Sequence, residues 1–160
     1  MNLSGFKKAQ LVAFGVPASL LAGAYVSQYG FGLYPCEMCW WQRYAHFATL
    51  VPAFLALLVP VGAGRLLLVR LAGLALLVSA LLGGFHAGVE YGWWEGLTTC
   101  STSVAGGGDP LDAILNAPMV RCDEVQWSLL GISLAGFNFL ISLVAGTAVF
   151  YFSARPASDG

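Results

Sequence analysis

The chain has 160 residues, of which 58% are hydrophobic and only 9% charged, and its mean hydropathy is +0.76. A soluble domain carries about 25% charged residues, and a disordered chain combines low hydrophobicity with high charge, so both classes are excluded. Seven Lys and Arg against eight Asp and Glu leave a net charge of -1 and no basic footprint for nucleic acid.

A hydrocarbon layer about 30 Å thick takes roughly 20 apolar residues in helix. In chain order, four stretches qualify: 10–29, 44–61, 66–87 and 127–152. The first follows Lys7 and Lys8 and contains Ala22-Gly23-Ala24, as a cleaved signal would, but it is longer than a signal core and reads as a retained span. Pro52 in the second, and Gly73, Gly83, Gly84, Gly131 and Gly136 in the third and fourth, are tolerated in membrane helices and let neighbours approach closely. The expectation is an all-α membrane protein, a bundle of four transmembrane helices forming one integral domain over 1–160.

Four spans place both termini and the 62–65 turn on one side, with segments 30–43 and 88–126 on the other. Lys7, Lys8, Arg65, Arg70 and Arg155 fall on the first side against Asp159 alone. Arg43 and Arg121 fall on the second, with Glu37, Glu90, Glu95, Asp109, Asp112, Asp123 and Glu124. Cytoplasmic loops are enriched in Lys and Arg, so the termini are expected in the cytoplasm and both cysteine-bearing loops outside. Tyr34, Trp40, Trp41, Tyr44, Trp93, Trp94 and Trp127 suit the outer aromatic belt.

The outward loops hold all four cysteines. Cys36-Glu37-Met38-Cys39 follows Pro35 and leads into the second span, so its thiols are expected at or just before a helix N-terminus, where the dipole and free amides favour thiolate. Glu37 opposes that shift and Arg43, four residues after Cys39, supports it. Cys100 and Cys122 bracket a polar loop containing Gly106-Gly107-Gly108. Taken alone, that pair reads either as a structural bridge, stabilising by about 3 kcal/mol, or as a redox pair on a movable segment. No metal is expected, because four-thiolate zinc sites draw on two short knuckles and the second pair is too widely spaced. Haem attachment requires His after the CxxC, where Trp40 stands.

Asp109-Pro110-Leu111-Asp112-Ala113-Ile114-Leu115 reads as a short capped helix, either lying on the membrane surface or packed as a turn on the bundle. His46 reads as a packed interior residue, Asn138 as an interhelical hydrogen-bonder, and Glu90 and Glu95 as solvated interfacial charges.

The run Pro35-Cys36-Glu37-Met38-Cys39-Trp40-Trp41-Gln42-Arg43, the later Thr99-Cys100, and Cys122-Asp123-Glu124-Val125-Gln126-Trp127 with Leu130-Gly131 resemble the disulfide bond formation protein B (DsbB) family. These are quinone-linked thiol oxidases of the bacterial inner membrane. The resemblance spans both cysteine pairs, their order and all four expected helices. It implies that a periplasmic thioredoxin-fold oxidase, DsbA-like, attacks Cys100. Cys122 then exchanges with Cys36, and Cys39 with Arg43 faces a membrane quinone, either ubiquinone or menaquinone. His86 resembles a family histidine near that quinone; an imidazole satisfied at the interface is the alternative. Glu37 departs from the family's expected pattern and bears on the thiolate pKa. Competing expectations are a quinone reductase resembling the vitamin K epoxide reductase family, whose loop pair precedes its CxxC, and a noncatalytic scaffold stapled by two disulfides.

Overall fold

The computed structural model describes residues 3–97, 101–102 and 119–154. Cys100 and the expected short helix at 109–115 lie outside the described residues. Four long helices carry the fold: α1 (Leu3–Phe31), α2 (Glu37–Leu58), α3 (Ala63–Glu90) and α4 (Leu134–Ala154). Three contain segments long and apolar enough to cross a membrane, Gly5–Phe31, Ala63–Glu90 and Leu134–Ala154. The first half of α2 instead carries Gln42, Arg43, His46 and Thr49, all buried inside the protein.

Two antiparallel pairs of short strands stand between α3 and α4. β1 (Ser101–Thr102) pairs with β2 (Met119–Val120), Ser101 opposite Val120. β3 (Ser128–Leu129) pairs with β4 (Ile132–Ser133). The second pair corrects the expected span from Trp127, because the helix starts only at Leu134. The cause is local: Leu130 and Gly131 both take positive φ, 54° and 79°, the conformation of a tight hairpin turn. Tyr91 braces that turn, its hydroxyl donating to the Gly131 carbonyl and accepting from the Ser133 amide, both at 2.9 Å.

The bundle interior has three zones. Phe6, Ala9, Ala13, Ala53, Ala56, Val69, Ala72, Leu76, Ala145 and Val149 form an apolar core at the end holding the α2–α3 turn. Small residues dominate it, and outside it α3 and α4 also pack closely: a Cβ on Gly83 would lie 2.9 Å from the Phe139 backbone nitrogen. Cys36, Met38, Val89, Val120 and Cys122 form a second cluster at the opposite end. Between the two lies a layer of buried polar side chains, Gln42, His46, Ser79, Asn138 and Ser142.

Candidate functional site

Cys36 is the N-cap of α2, with extended backbone, and its sulfur accepts from the Cys39 amide at 3.3 Å, in the role a Ser or Asp oxygen usually takes. The helix thus begins ahead of the span expected at Tyr44, and the CxxC pair makes its first turn. The two sulfurs are 2.9 Å apart as free thiols. Contact with Cys39, together with burial, pushes the Cys36 thiol well above its ordinary value. Glu37 is exposed to solvent, whereas Cys36 is 1% exposed.

The segment after β2 closes over this pair. Gln126 donates to the Tyr34 carbonyl at 2.9 Å, tying the second loop to the residues just before Cys36. Cys122 is buried, and its sulfur, the Cys36 sulfur and a His86 ring nitrogen all lie within 4.8 Å of one another. One residue from each expected redox pair is therefore close to the other across the fold. Outside this contact, Arg121 bonds both Asp123 oxygens, at 2.9 and 2.6 Å, and holds that exposed carboxyl below the usual range.

Arg43 is buried, at 6% exposure. Its guanidinium donates to Gln28 Oε1 at 2.6 Å and to the Ala24 carbonyl at 3.2 Å, and sits over the rings of Tyr25 and Trp40, 4.8 and 5.0 Å from their centroids. Among the described residues no carboxylate forms an ion pair with it. A buried cation held only by neutral acceptors and ring faces retains attraction for a negative or electron-rich group. The space beside it is a cavity of about 260 Å³ whose lining includes Cys36, Cys39, Arg43, His46, His86 and Asn138.

The polar layer forms the floor of that cavity. Gln42 Nε2 contacts the Met38 carbonyl at 3.3 Å and His86 Nδ1 at 2.8 Å. Asn138 Nδ2 donates to Gln42 Oε1 at 2.6 Å and to the Ser79 carbonyl at 3.3 Å. Asn138 Oδ1 faces His46 Nε2 at 2.8 Å, so His46 carries its proton there and presents a bare Nδ1. That nitrogen is buried without a hydrogen-bond partner among the described residues. The sequence reading of His46 as interior holds for its burial and misses this lone pair. A signal was present, since Gln42, His46 and Thr49 recur at helical spacing on one face of α2 and match Asn138 and Ser142 on α4. Glu90 corrects another expectation: its side chain is 8% exposed, accepts from the Ser133 hydroxyl and lies 3.9 Å from His86 Nε2.

The family model for disulfide bond formation protein DsbB matches residues 7–152. The chain belongs to the DsbB family. Among curated relatives named Disulfide bond formation protein B, one from Azoarcus sp. (strain BH72) is 37% identical, covering 81% of each chain. One from Marinobacter nauticus is 32% identical over 86% of this chain and 88% of the relative, and one from Aromatoleum aromaticum is 33% identical over 85% and 86%. No solved structure is a significant match. As a member of the DsbB family the chain is a multi-pass inner-membrane protein and a disulfide-generating oxidoreductase that exchanges disulfides with a partner. These matches do not favour the epoxide reductase-like or scaffold readings.

Proposed function

We propose that this DsbB-family protein reoxidises a periplasmic, DsbA-like thioredoxin-fold oxidase and passes the two electrons to a membrane quinone, ubiquinone or menaquinone. The chain forms one membrane domain of four spans, α2 included, with both termini cytoplasmic. Its buried polar face on α2 supports that reading, because a span packed among three others turns such residues inward. The partner attacks Cys100, Cys122 exchanges with Cys36, and Cys39 delivers the electrons.

The observation that carries the quinone assignment is Arg43, a buried cation without a carboxylate partner among the described residues, beside a cavity that also holds Cys39. His46 Nδ1, unpartnered among the described residues, adds a lone pair able to accept a hydroxyl proton there. Arg43 suits a quinone carbonyl oxygen and the bare acceptor suits the hydroxyl of its reduced form, in a lining that also includes Gln42, His86, Glu90, Arg121, Glu124 and Asn138. A quinone, when bound, supplies a two-electron, two-proton acceptor. Arg43 would hold an oxygen of the ring by charge-assisted donation, while the apolar part of the lining keeps out water. Cys39, in the first turn of α2, would present its sulfur to the same space, with the helix N-terminus favouring the anionic form. His86 lines the cavity as well.

The test follows both ends of the path. Purified protein is mixed with reduced thioredoxin-fold oxidase and ubiquinone, with quinone absorbance and cysteine alkylation monitored together. Turnover is expected in the wild type and is lost in Cys39→Ser. Cys122→Ser accumulates a mixed disulfide between Cys100 and the partner. Absence of turnover by folded wild-type protein would overturn the reading, and absence of the mixed disulfide would overturn the order.

A further inference from the structure

His86 has hydrogen-bonding contacts from both ring nitrogens, and its neighbours decide which one carries the proton. A backbone carbonyl can only accept. The Gln42 side-chain atom facing the Met38 carbonyl is therefore its NH2, and the Asn138 atom facing the Ser79 carbonyl is likewise its NH2. These two carbonyls fix both amides, and the Asn138 NH2 then meets the Gln42 oxygen, so the orientations agree. Gln42 consequently donates to His86 Nδ1 at 2.8 Å, which makes Nδ1 an acceptor and puts the proton of the neutral ring on Nε2.

The protonated nitrogen faces both cysteine pairs. Nε2 is 3.5 Å from Cys36 Sγ. The Cys122 sulfur also lies within 4.8 Å of the Cys36 sulfur and a ring nitrogen of His86. The same argument bears on the Cys36, His86 and Cys122 cluster as a metal site. A ligating imidazole gives a lone pair to the metal and donates its other N–H outward; here the amide donates inward and the nitrogen facing the sulfurs is occupied by hydrogen.

We propose that His86 is a fixed hydrogen-bond donor between the two redox pairs, stabilising negative charge on the Cys36 sulfur, with Gln42 and Asn138 as the positioning residues that set its tautomer. The inference rests on the exchange order proposed above. In that order the Cys122 thiolate attacks Cys36 Sγ, the Cys36–Cys122 bond forms, the Cys36–Cys39 bond breaks, and Cys39 leaves as thiolate. The partner's second thiolate breaks the mixed disulfide and releases Cys100 as thiolate; Cys100 then attacks Cys122, the Cys100–Cys122 bond forms, and the electron pair of the broken Cys36–Cys122 bond stays on Cys36. The loop pair is a disulfide again, and the partner is oxidised and the CxxC pair reduced by the same two electrons. The two protons lost by the partner's dithiol neutralise Cys36 and Cys39. Neutral His86 gives up no proton: it lends its N–H to the sulfur that becomes charged. A hydrogen bond to a charged group corresponds to a rate factor of about tenfold to a hundredfold.

Nitrogen-15 NMR of full-length, histidine-labelled protein in lipid nanodiscs reads the tautomer directly, with the His86 signals assigned by their loss in His86→Gln. The proton is expected on Nε2 in the wild type and distributed over both nitrogens in Gln42→Met, which keeps the ring but removes the donor. A wild-type proton on Nδ1, or an unchanged tautomer in Gln42→Met, would overturn the proposal. Rapid-quench alkylation without quinone measures exchange between the two pairs. His86→Leu is expected to slow it about tenfold to a hundredfold. His86→Gln, which returns an N–H near the Nε2 position, should recover part of the loss. Equal rates in wild type and His86→Leu would refute the donor role. If wild-type protein shows no exchange between the pairs at all, the proposed order fails instead, and the tautomer measurement separates the two outcomes.

Discussion

At the scale of single residues, the site contrasts a thiol that resists ionisation with a cation that pairs with no acid among the described residues. Cys36 shares its environment with the Cys39 sulfur at 2.9 Å, and that contact together with burial raises its pKa from 9.0. Below that pH the thiolate fraction of Cys36 is thus smaller than in an ordinary cysteine. Alkylation of Cys36 in the reduced chain, followed by mass spectrometry, should still rise about tenfold per pH unit near pH 9, because each unit multiplies the thiolate tenfold. Restricted access of the reagent slows the reaction without moving the bend in the profile, so a plateau below pH 8 would contradict the raised thiol. Arg43 gives the complementary prediction. Arg43→Gln removes the charge while leaving a polar side chain beside Gln28, and the apparent KM for ubiquinone should rise roughly tenfold or more. A change confined to affinity for the thioredoxin-fold partner would place the quinone elsewhere.

At the scale of elements, α3 and α4 depend on missing side chains. A Cβ added at Gly83 would meet Asn138 Nδ2 and the Phe139 backbone nitrogen at 2.9 Å and the Ala135 carbonyl at 3.0 Å. Backbone atoms cannot rotate away, so the helices must separate, and the Asn138 amide that fixes Gln42 moves with them. Gly83→Ala is expected to cost about 2 kcal/mol, typical of overpacking, measured as a lower thermal midpoint in detergent. Gly15→Ala, with nothing within 4 Å of the added carbon, is the matched control and should leave the midpoint unchanged or slightly higher. Equal midpoints for Gly83→Ala and wild type would show that the contact is not tight in solution.

Legibility in the sequence also divides by element. Hydropathy located α1, α3 and α4, because an apolar run of span length is a local property. The start of α4 escaped it, since Ser128, Leu129 and Ile132 are as compatible with a short strand as with a helix turn, and positive φ at Leu130 decides between them. The Cys36 position at a helix N-terminus was readable from Pro35 and the following apolar run. Burial of Glu90 was not, because it depends on Ser133, which lies far along the chain on another element. The bare Nδ1 of His46 depends similarly on Asn138. Periodicity marks the face on which such residues lie, but their protonation is set by partners that only the fold brings together.

At the scale of the whole molecule, most of the basic charge and the redox chemistry lie at opposite ends. Lys8 stands 6.0 Å from the Phe152 ring centroid near the end of α4, and Arg65 stands 5.1 Å from that of Phe6. The start of α1, the α2–α3 turn and the end of α4 therefore share the end remote from Cys36 and Cys122. A positive end flanking apolar helices is retained in the cytoplasm, which would open the cysteine end to the periplasm, where disulfides persist. A green fluorescent protein fused after Gly160 is expected to fluoresce, as it does in the cytoplasm, whereas alkaline phosphatase fused at the same point should be inactive. Replacing Lys7, Lys8 and Arg65 together by Glu removes three of the basic residues from that end, and the two reporters should then begin to exchange their signals. A wild-type chain with active phosphatase and dark fluorescent protein would place all the cysteines in the reducing compartment. The proposed path to a periplasmic partner would then have no donor to serve.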